Sequence, residues 1–595
     1  MTPPTHHLRW NLYGAGLENL GRNGKPELMP TPQPAPNELL ARIDAVGICF
    51  SDLKILRLGE AHPKIARDLR RHPVVMGHEI SCTIAQVGDA LQDRFQVGER
   101  YIVQADVYVN GRVQAVGYAL DGGYSQYTVF GEPVLNGDAG CYLLRCPEHL
   151  SYAEAALVEP WACVVASYRI QPRLTPQPNG RWCVVIPHAP RVRYRCRALQ
   201  KLALTPPNPS SKAWERGASG AAVIIVDSRG NPLAEEFLQT AQQLGMATQR
   251  VEVSEENLYD SKRLQHLRET YAPDGFTDIL IYGNPTPDLL ETALDALCYD
   301  GALSFTCHHT IPDVSVDVGR LHYDRLRVMG TSSWDITDAY RHTRDTALRK
   351  GDRLLLFGAG GAMGQMQLFY ALTRPDPPAQ VVVVDRHPER LEPLCTLGTP
   401  LAQSAGIELQ FYCNANAGSE TQQAHLRSLC PHGFDQIMLL ASSADAVSLC
   451  YPLLTDGGVL NLFAGIPKGQ KVALDLTPLA SRHMRLLGSS GSTMDDIAEC
   501  LRLTAQGALP AYKVIGAIAG LNALPDALRA VQEHRYPSKI VIFPQLPHLP
   551  LLGLQELATQ LPQVYAQLKD GRYWTKAAEA VMYAHYRPNA AIGED

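Results

Sequence analysis

Three short segments near the start of the chain carry side chains that bind transition metals. They are Gly47-Ile48-Cys49-Phe50-Ser51-Asp52, Gly77-His78-Glu79 and Val158-Glu159-Pro160. A thiolate, an imidazole and a carboxylate make a tetrahedral zinc set with one position left open. An open position is what a catalytic zinc requires and a structural zinc lacks. Taken singly, a Cys, His or Glu is usually a structural residue, so the combination carries the expectation.

A second group of residues suits a nucleotide. The run Arg353–Phe357 reads as a strand and is followed by Gly358-Ala359-Gly360-Gly361-Ala362-Met363-Gly364, then by an apolar helical pattern. Glycine lets the backbone turn sharply and lets a pyrophosphate approach the helix N-terminus, where free N–H groups and the helix dipole favour negative charge. The literal GxGxxG spacing is not met. Gly358, Gly361 and Gly364 fit a GxxGxxG variant, and Gly358 with Gly360 supplies the GxG start. Asp385 follows Gly364 by 21 residues and ends the next strand. An acidic group there accepts both ribose hydroxyls and repels a 2′-phosphate, which favours NAD over NADP. Arg386 beside it is a candidate contact for a 2′-phosphate.

These groups need elements to position them. Residues 36–165 read as β-rich, with short apolar runs at 38–46, 80–87 and 100–105 broken by Gly, Asp and Asn. Residues 171–180 hold three prolines and a glycine and read as a linker. Beyond it, β-branched runs such as 221–226 and 381–384 alternate with helical patterns, the signature of a parallel sheet with crossover helices. An internal repeat lies here. Val226-Asp227-Ser228-Arg229 recurs as Val384-Asp385-Arg386-His387, 158 positions later. At the same offset Gly275-Phe276-Thr277-Asp278 recurs as Gly433-Phe434-Asp435-Gln436, and Arg327-Val328-Met329-Gly330 as Arg485-Leu486-Leu487-Gly488. The first copy opens on residues 182–186 and continues Pro187-His188-Ala189-Pro190-Arg191-Val192-Arg193, with no glycine loop, so it is not expected to bind a dinucleotide in the usual way.

The motifs, in this order, resemble the zinc-dependent medium-chain dehydrogenases of the alcohol dehydrogenase superfamily. The likeness runs from residue 38 to about 170 and again from 351 to about 544, and it includes Asp121-Gly122-Gly123-Tyr124-Ser125-Gln126-Tyr127. Within that family the chain is most similar to sorbitol and threonine dehydrogenases and sorbose-1-phosphate reductases. Glu159 before Pro160 points there, as does, less specifically, the tail Tyr573-Trp574-Thr575-Lys576-Ala577-Ala578-Glu579. The resemblance implies that Cys49 and His78 are zinc ligands, that Glu79 and Glu159 are alternative inner ligands or hold the zinc-bound water, that Ser51 takes the substrate proton, and that Asp52 orients the site. It implies transfer of a hydride between NAD(H) and a secondary alcohol, polyol or sugar (phosphate) alcohol, with a small-molecule alcohol or carbonyl as substrate. Residues 83–140 contain no cysteine, so no structural zinc is expected. The glycine loop is one residue longer than the family's, and the stretch between the linker and Lys350 has no counterpart in ordinary members.

At 595 residues the chain is expected to hold several domains. The fold class is α/β: a β-rich, GroES-like catalytic domain split in sequence around two tandem doubly wound Rossmann-type domains, the first degenerate. The expected limits are 1–172, 180–345, 350–510 and 511–595, the last returning to the catalytic domain before a helical tail. A composition of 45% hydrophobic and 19% charged residues with net charge -6 gives no electrostatic footprint for nucleic acid or an anionic membrane. No apolar run has signal-peptide or membrane-span length, and a cytoplasmic location is expected. Cys307-His308-His309 is read as structural, because adjacent residues on a strand face opposite ways, and the basic run 191–197 as a solvated loop. The extra copy is expected to take the place of a dimer partner, covering a sheet edge within one chain. The protein is then a monomer with an internal pseudo-dimer, or an oligomer through another surface. Two rival readings are a zinc- and NAD-dependent lyase or epimerase with transient oxidation, and a non-catalytic scaffold.

Overall fold

The computed structural model describes residues 3–65, 67–188, 193–204, 222–228, 231–341 and 344–586. The packing divides into two units. The first is built from Met1–Ala166, Gly361–Thr373 and Gly491–Asp595, and the second from Ser167–Gly360 and Arg374–Ser490. The sequence placed the return to the catalytic domain at 511, whereas the units divide at 490/491. Helix Met494–Ala505 accounts for the difference. It lies in the first unit, where the Cys500 thiol donates to the Val158 carbonyl (3.5 Å) and the Gln104 amide donates to the Ser492 carbonyl (3.0 Å).

The first unit is organised by an eight-stranded sheet. Its central strand, Leu39–Gly47, is buried along nearly its whole length, as its run of aliphatic residues requires. Glu79–Val87 pairs with one side of it, and Lys539–Phe543, from near the C-terminus, pairs antiparallel with its end through Val541↔Gly47 and Ile542↔Val46. Ile43, Val46, Ile80, Tyr124, Ile540 and Ile542 share one core with Trp10, whose indole N–H donates to the Leu521 carbonyl (2.7 Å). Segments hundreds of residues apart in sequence thus form one hydrophobic unit.

The second unit carries a twelve-stranded sheet. In chain order its first six strands are β1 (Arg181–Ile186), β2 (Ala222–Asp227), β3 (Ala247–Glu252), β4 (Phe276–Ile281), β5 (Leu297–Thr306) and β6 (Arg327–Thr331). The next six are β7 (Arg353–Phe357), β8 (Gln380–Asp385), β9 (Glu408–Cys413), β10 (Phe434–Leu439), β11 (Leu454–Leu462) and β12 (Arg485–Gly488). In space they run β3-β2-β1-β4-β5-β6-β12-β11-β10-β7-β8-β9. Each half has the doubly wound order 3-2-1-4-5-6, and the second is reversed against the first. The 158-residue repeat falls on equivalent strands, β2 with β8, β4 with β10 and β6 with β12.

The halves meet at an antiparallel pairing of β6 with β12, through Arg327↔Leu487 and Val328↔Leu486. A second antiparallel pair, Val314–Asp317 with Lys471–Leu474, also joins them, and one hydrophobic core runs across both, with Val316, Leu321, Leu474 and Leu479 among its members. An uncovered edge strand invites pairing with another chain; here β6 and β12 satisfy each other. The linker is anchored: the Arg173 guanidinium donates to Asp278 (3.1 Å) and to the Asp300 carbonyl. No helix among the described residues is long and apolar enough to cross a membrane. With this edge occupied internally, light scattering on the purified protein is expected to return the mass of one chain. A stable dimer joined sheet to sheet would contradict that expectation.

Candidate functional site

Strand Leu39–Gly47 ends two residues before Cys49, which caps the helix Phe50–Leu58. Its side chain accepts from the backbone N–H three residues on, and its own N–H donates to Asp52 Oδ2 (2.9 Å). This capping box fixes the thiol at a helix start. His78 and Glu79 come from the segment entering strand Glu79–Val87. The motif 121–127 supports that segment, because the N–H groups of Gly122, Gly123 and Tyr124 donate to Val75, Gly77 and Met76 carbonyls (2.7, 2.7 and 3.0 Å). A Cβ at Gly122 would stand 2.2 Å from the Gly77 carbonyl oxygen, so only glycine allows this approach.

Cys49, His78 and Glu79 each offer one ligand atom, and these atoms all lie within 4.8 Å of one another. Among the described residues this is the one such cluster. Glu159 lies outside it, near the start of the helix Val158–Ser167, but acts electrostatically on the same groups. Burial, reinforced by Glu79 and Asp106 and offset by His78, pushes its carboxyl up to about 7. Cys163, one helical turn after Glu159, has its thiol pushed well up by burial and by the neighbouring Glu159, Asp106 and Cys49.

Asp52 is fully buried and ties the set together. Its Oδ2 also accepts from the Tyr124 hydroxyl (2.7 Å), and its Oδ1 stands 3.5 Å from His78 Nδ1. Burial alone would raise its carboxyl, but His78, the Cys49 N–H and Tyr124 hold it below the ordinary carboxylate range. A carboxylate on Nδ1 turns the other ring nitrogen toward the ligand cluster. His78 Nε2 lies 3.3 Å from Ser51 Oγ, and the Tyr118 ring stands 5.7 Å from the imidazole.

The donor set suits a cation. Against the cost of burial, Tyr118, Asp52 and Cys49 hold the His78 imidazole well above its ordinary value, so the surroundings attract positive charge. Glu79 Oε2 is buried without a partner, while Oε1 accepts from the ammonium of Lys539. Lys539 opens the buried strand Lys539–Phe543 and also donates to the Ile48 carbonyl (2.9 Å). Sequence reasoning missed Lys539. The one available signal was a lysine heading an otherwise apolar run. It also missed a polar group around Tyr118: Lys64 Nζ lies 5.2 Å from that ring and donates to Asp106 Oδ1 (2.7 Å), and His62 packs 5.2 Å from the same ring.

In the second unit, Gly358 after β7 has φ 81°, and a Cβ there would meet Ala441 N at 2.6 Å. The Gly360 N–H donates to Asp385 Oδ2 (2.7 Å), and a Cβ on Gly360 would stand 2.6 Å from the same carboxyl. Gly361, which caps helix Ala362–Leu372, and Gly364 inside that helix belong to the first unit. Asp385 also accepts from the His387 N–H (3.0 Å), whereas Arg386 beside it is exposed, its Nε donating to His387 Nε2 (3.0 Å). In the first half the equivalent Asp227 is fully buried and accepts from Arg250 Nε and Nη2 (3.0 and 2.7 Å). The position equivalent to Arg250 at the same offset is Glu408. Of the glycine-free loop 187–193, residues 189–192 lie outside the described residues, as does Arg191 of the basic run. The Cys307 thiol donates to the His309 carbonyl (2.9 Å).

Comparison with known proteins gives the same family. Residues 35–135 match the alcohol dehydrogenase GroES-like domain. The chain is 32% identical to the L-sorbose 1-phosphate reductase of Klebsiella pneumoniae over 144 residues, covering 24% of this chain and 34% of that protein. It is 21% identical to the mannitol-1-phosphate 5-dehydrogenase of Aliivibrio fischeri over 573 residues, 94% of this chain and 95% of that one, so the likeness includes the first half of the large sheet. The fold is similar to that of 2R,3R-butanediol dehydrogenase from Bacillus subtilis, with a TM-score of 0.50, 14% identity, and coverage of 90% of this chain and 99% of that one. Residues 35–135 therefore form an alcohol dehydrogenase GroES-like domain, and the chain is similar to a dehydrogenase along nearly its whole length.

Proposed function

We propose that the protein oxidises a secondary hydroxyl of a polyol or sugar (phosphate) alcohol, or reduces the matching ketone, using one zinc ion and NAD(H). The convergence of Cys49, His78 and Glu79 carries this reading. When bound, zinc supplies Lewis acidity to the substrate oxygen and NAD accepts the hydride from carbon. Cys49 and His78 hold the metal, with Glu79 Oε2 or the Glu159 carboxyl completing the set. Ser51 takes the hydroxyl proton and passes it toward solvent, so the alcohol loses one hydride and one proton. Asp52 fixes the His78 ring, and Lys539 balances the negative charge of Glu79. Lys64 and Asp106, beside Tyr118, hold further hydroxyls of the substrate. The names of the two sugar-phosphate relatives support a polyhydroxylated substrate. In this reading Asp385 accepts from the adenosine ribose of NAD, and Gly358, Gly360, Gly361 and Gly364 admit the pyrophosphate ahead of it.

The test combines metal analysis with NADH formation on a panel of polyols. Wild type is expected to hold about one zinc per chain, and Cys49→Ala to lose it together with roughly 10³-fold in kcat/KM. Folded wild type without zinc would overturn the reading, and zinc without NADH on any alcohol would favour a lyase or epimerase. Asp385→Ala is expected to raise KM for NAD about tenfold and to improve NADP use, as Arg386 is freed from a competing charge; an unchanged KM would remove Asp385 from the cofactor site. Asp106→Asn is expected to raise KM for polyols about tenfold and to leave a simple secondary alcohol unaffected, because one substrate hydrogen bond to a charged acceptor is lost. Equal effects on both substrate types would place Asp106 outside substrate recognition.

A further inference from the structure

The first half of the large sheet holds a cavity of about 530 Å³ that no dehydrogenase step uses. Its lining includes Arg193, Arg195, Arg197, Gln239, Gln243 and Glu236. After β7 the chain turns through glycines into the eleven-residue helix Ala362–Leu372. After β1 the described chain resumes extended at Arg193, and only then enters the shorter helix Ala198–Leu204. The cavity lies between this segment and helix Pro232–Gln243.

Arg193, Arg195 and Arg197 line the cavity together with Cys196, while Tyr194 packs against Tyr282 and Trp334 (5.3 and 5.7 Å between rings). The segment is held in place: the Arg195 N–H donates to the Trp334 carbonyl (3.0 Å), and its own carbonyl accepts from the Ile336 N–H (3.1 Å) and the Tyr282 hydroxyl (3.1 Å). Arg197 is neutralised by Asp335 and by Asp338 (3.0 Å). Among the described residues, no carboxylate stands within ion-pair distance of Arg193 or Arg195. Two arginines therefore offer charge to the cavity against one carboxylate, Glu236, with glutamine amides beside it.

We infer that this cavity is a second binding site, for a small phosphomonoester bearing hydroxyl groups. Arginine forks match phosphate oxygens, two guanidinium groups balance a phosphate dianion, and a lone carboxylate among amides accepts from hydroxyls rather than binding the anion. The volume lies in the range of small-molecule sites, about 300–1,000 Å³, and the pocket opens to solvent, with its arginines, glutamines and Glu236 exposed. The inference does not rest on the zinc and NAD reading, because every residue it uses belongs to the first half of the large sheet.

Calorimetric titration of the full chain, without nicotinamide cofactor, tests it with sorbitol 6-phosphate, sorbitol and inorganic phosphate as probes. Wild type is expected to show a saturable sorbitol 6-phosphate component that Cys49→Ala retains and Arg193→Gln/Arg195→Gln weakens at least tenfold. Glu236→Gln is expected to tighten inorganic phosphate while weakening sorbitol 6-phosphate, a split that misfolding would not produce. Sorbitol alone is expected to show no component that the arginine substitutions remove. Unchanged sorbitol 6-phosphate affinity in the arginine double variant, or the absence of any component that survives Cys49→Ala, would overturn the inference. Loss of zinc in wild type would overturn the dehydrogenase reading and leave this result standing.

Discussion

A buried ammonium sits at the centre of the catalytic unit. Lys539 brings positive charge to a site where Cys49, Glu79 and Glu159 concentrate negative charge, and it is carried there by a strand that pairs with the end of Leu39–Gly47. Removing one partner of a buried pair leaves the other charge uncompensated, at a cost of about 3–5 kcal/mol. The geometry of the donor set and the closure of the sheet are therefore one problem. The strand that completes the core also delivers the ammonium that donates to Glu79 Oε1. A second buried carboxylate works similarly at a distance: Glu579 of the tail accepts from the Tyr152 and Ala153 N–H groups (2.6 and 3.1 Å), capping the short helix just ahead of Glu159.

The large sheet rests on a different constraint. Each half is a parallel sheet whose last strand would be left with unpaired N–H and C=O groups. Antiparallel pairing of β6 with β12 satisfies both at once, and the hydrophobic core crosses the junction without interruption. The two halves have nonetheless diverged at the strand ends. In the second, Asp385 accepts only from backbone N–H groups, whereas in the first the matching Asp227 is taken by Arg250. Asp227 is thus already charge-paired through Arg250 Nε and Nη2, in a copy whose loop also lacks glycine.

Much of this was legible from residue type and spacing because the relevant signals are local. The glycine turn, the alternation of strands and helices and the 158-residue repeat each fall within short windows, and the strands lie where those windows placed them. Cys49, His78 and Glu79 stood out as metal-binding types next to strand ends. Lys539 and Asp106 did not, because their partners, Glu79 and Lys64, lie 460 and 42 residues away, beyond any local pattern. The division at 490/491 was missed for the same reason: helix Met494–Ala505 has an ordinary amphipathic pattern, and only its packing shows which unit it serves. Arg193, Arg195 and Arg197 are exposed, as their reading as a solvated loop expected.

The junction of β6 and β12 has an evolutionary consequence. Where two identical subunits share a sheet, symmetry reproduces every substitution on both sides of the axis, and a change that suits one side must be tolerated on the other. Fusing the two halves into one polypeptide breaks that coupling. One half can keep the turn that suits a nucleotide while the other exchanges it for arginines and a cavity, with each lineage of substitutions answering to its own local selection.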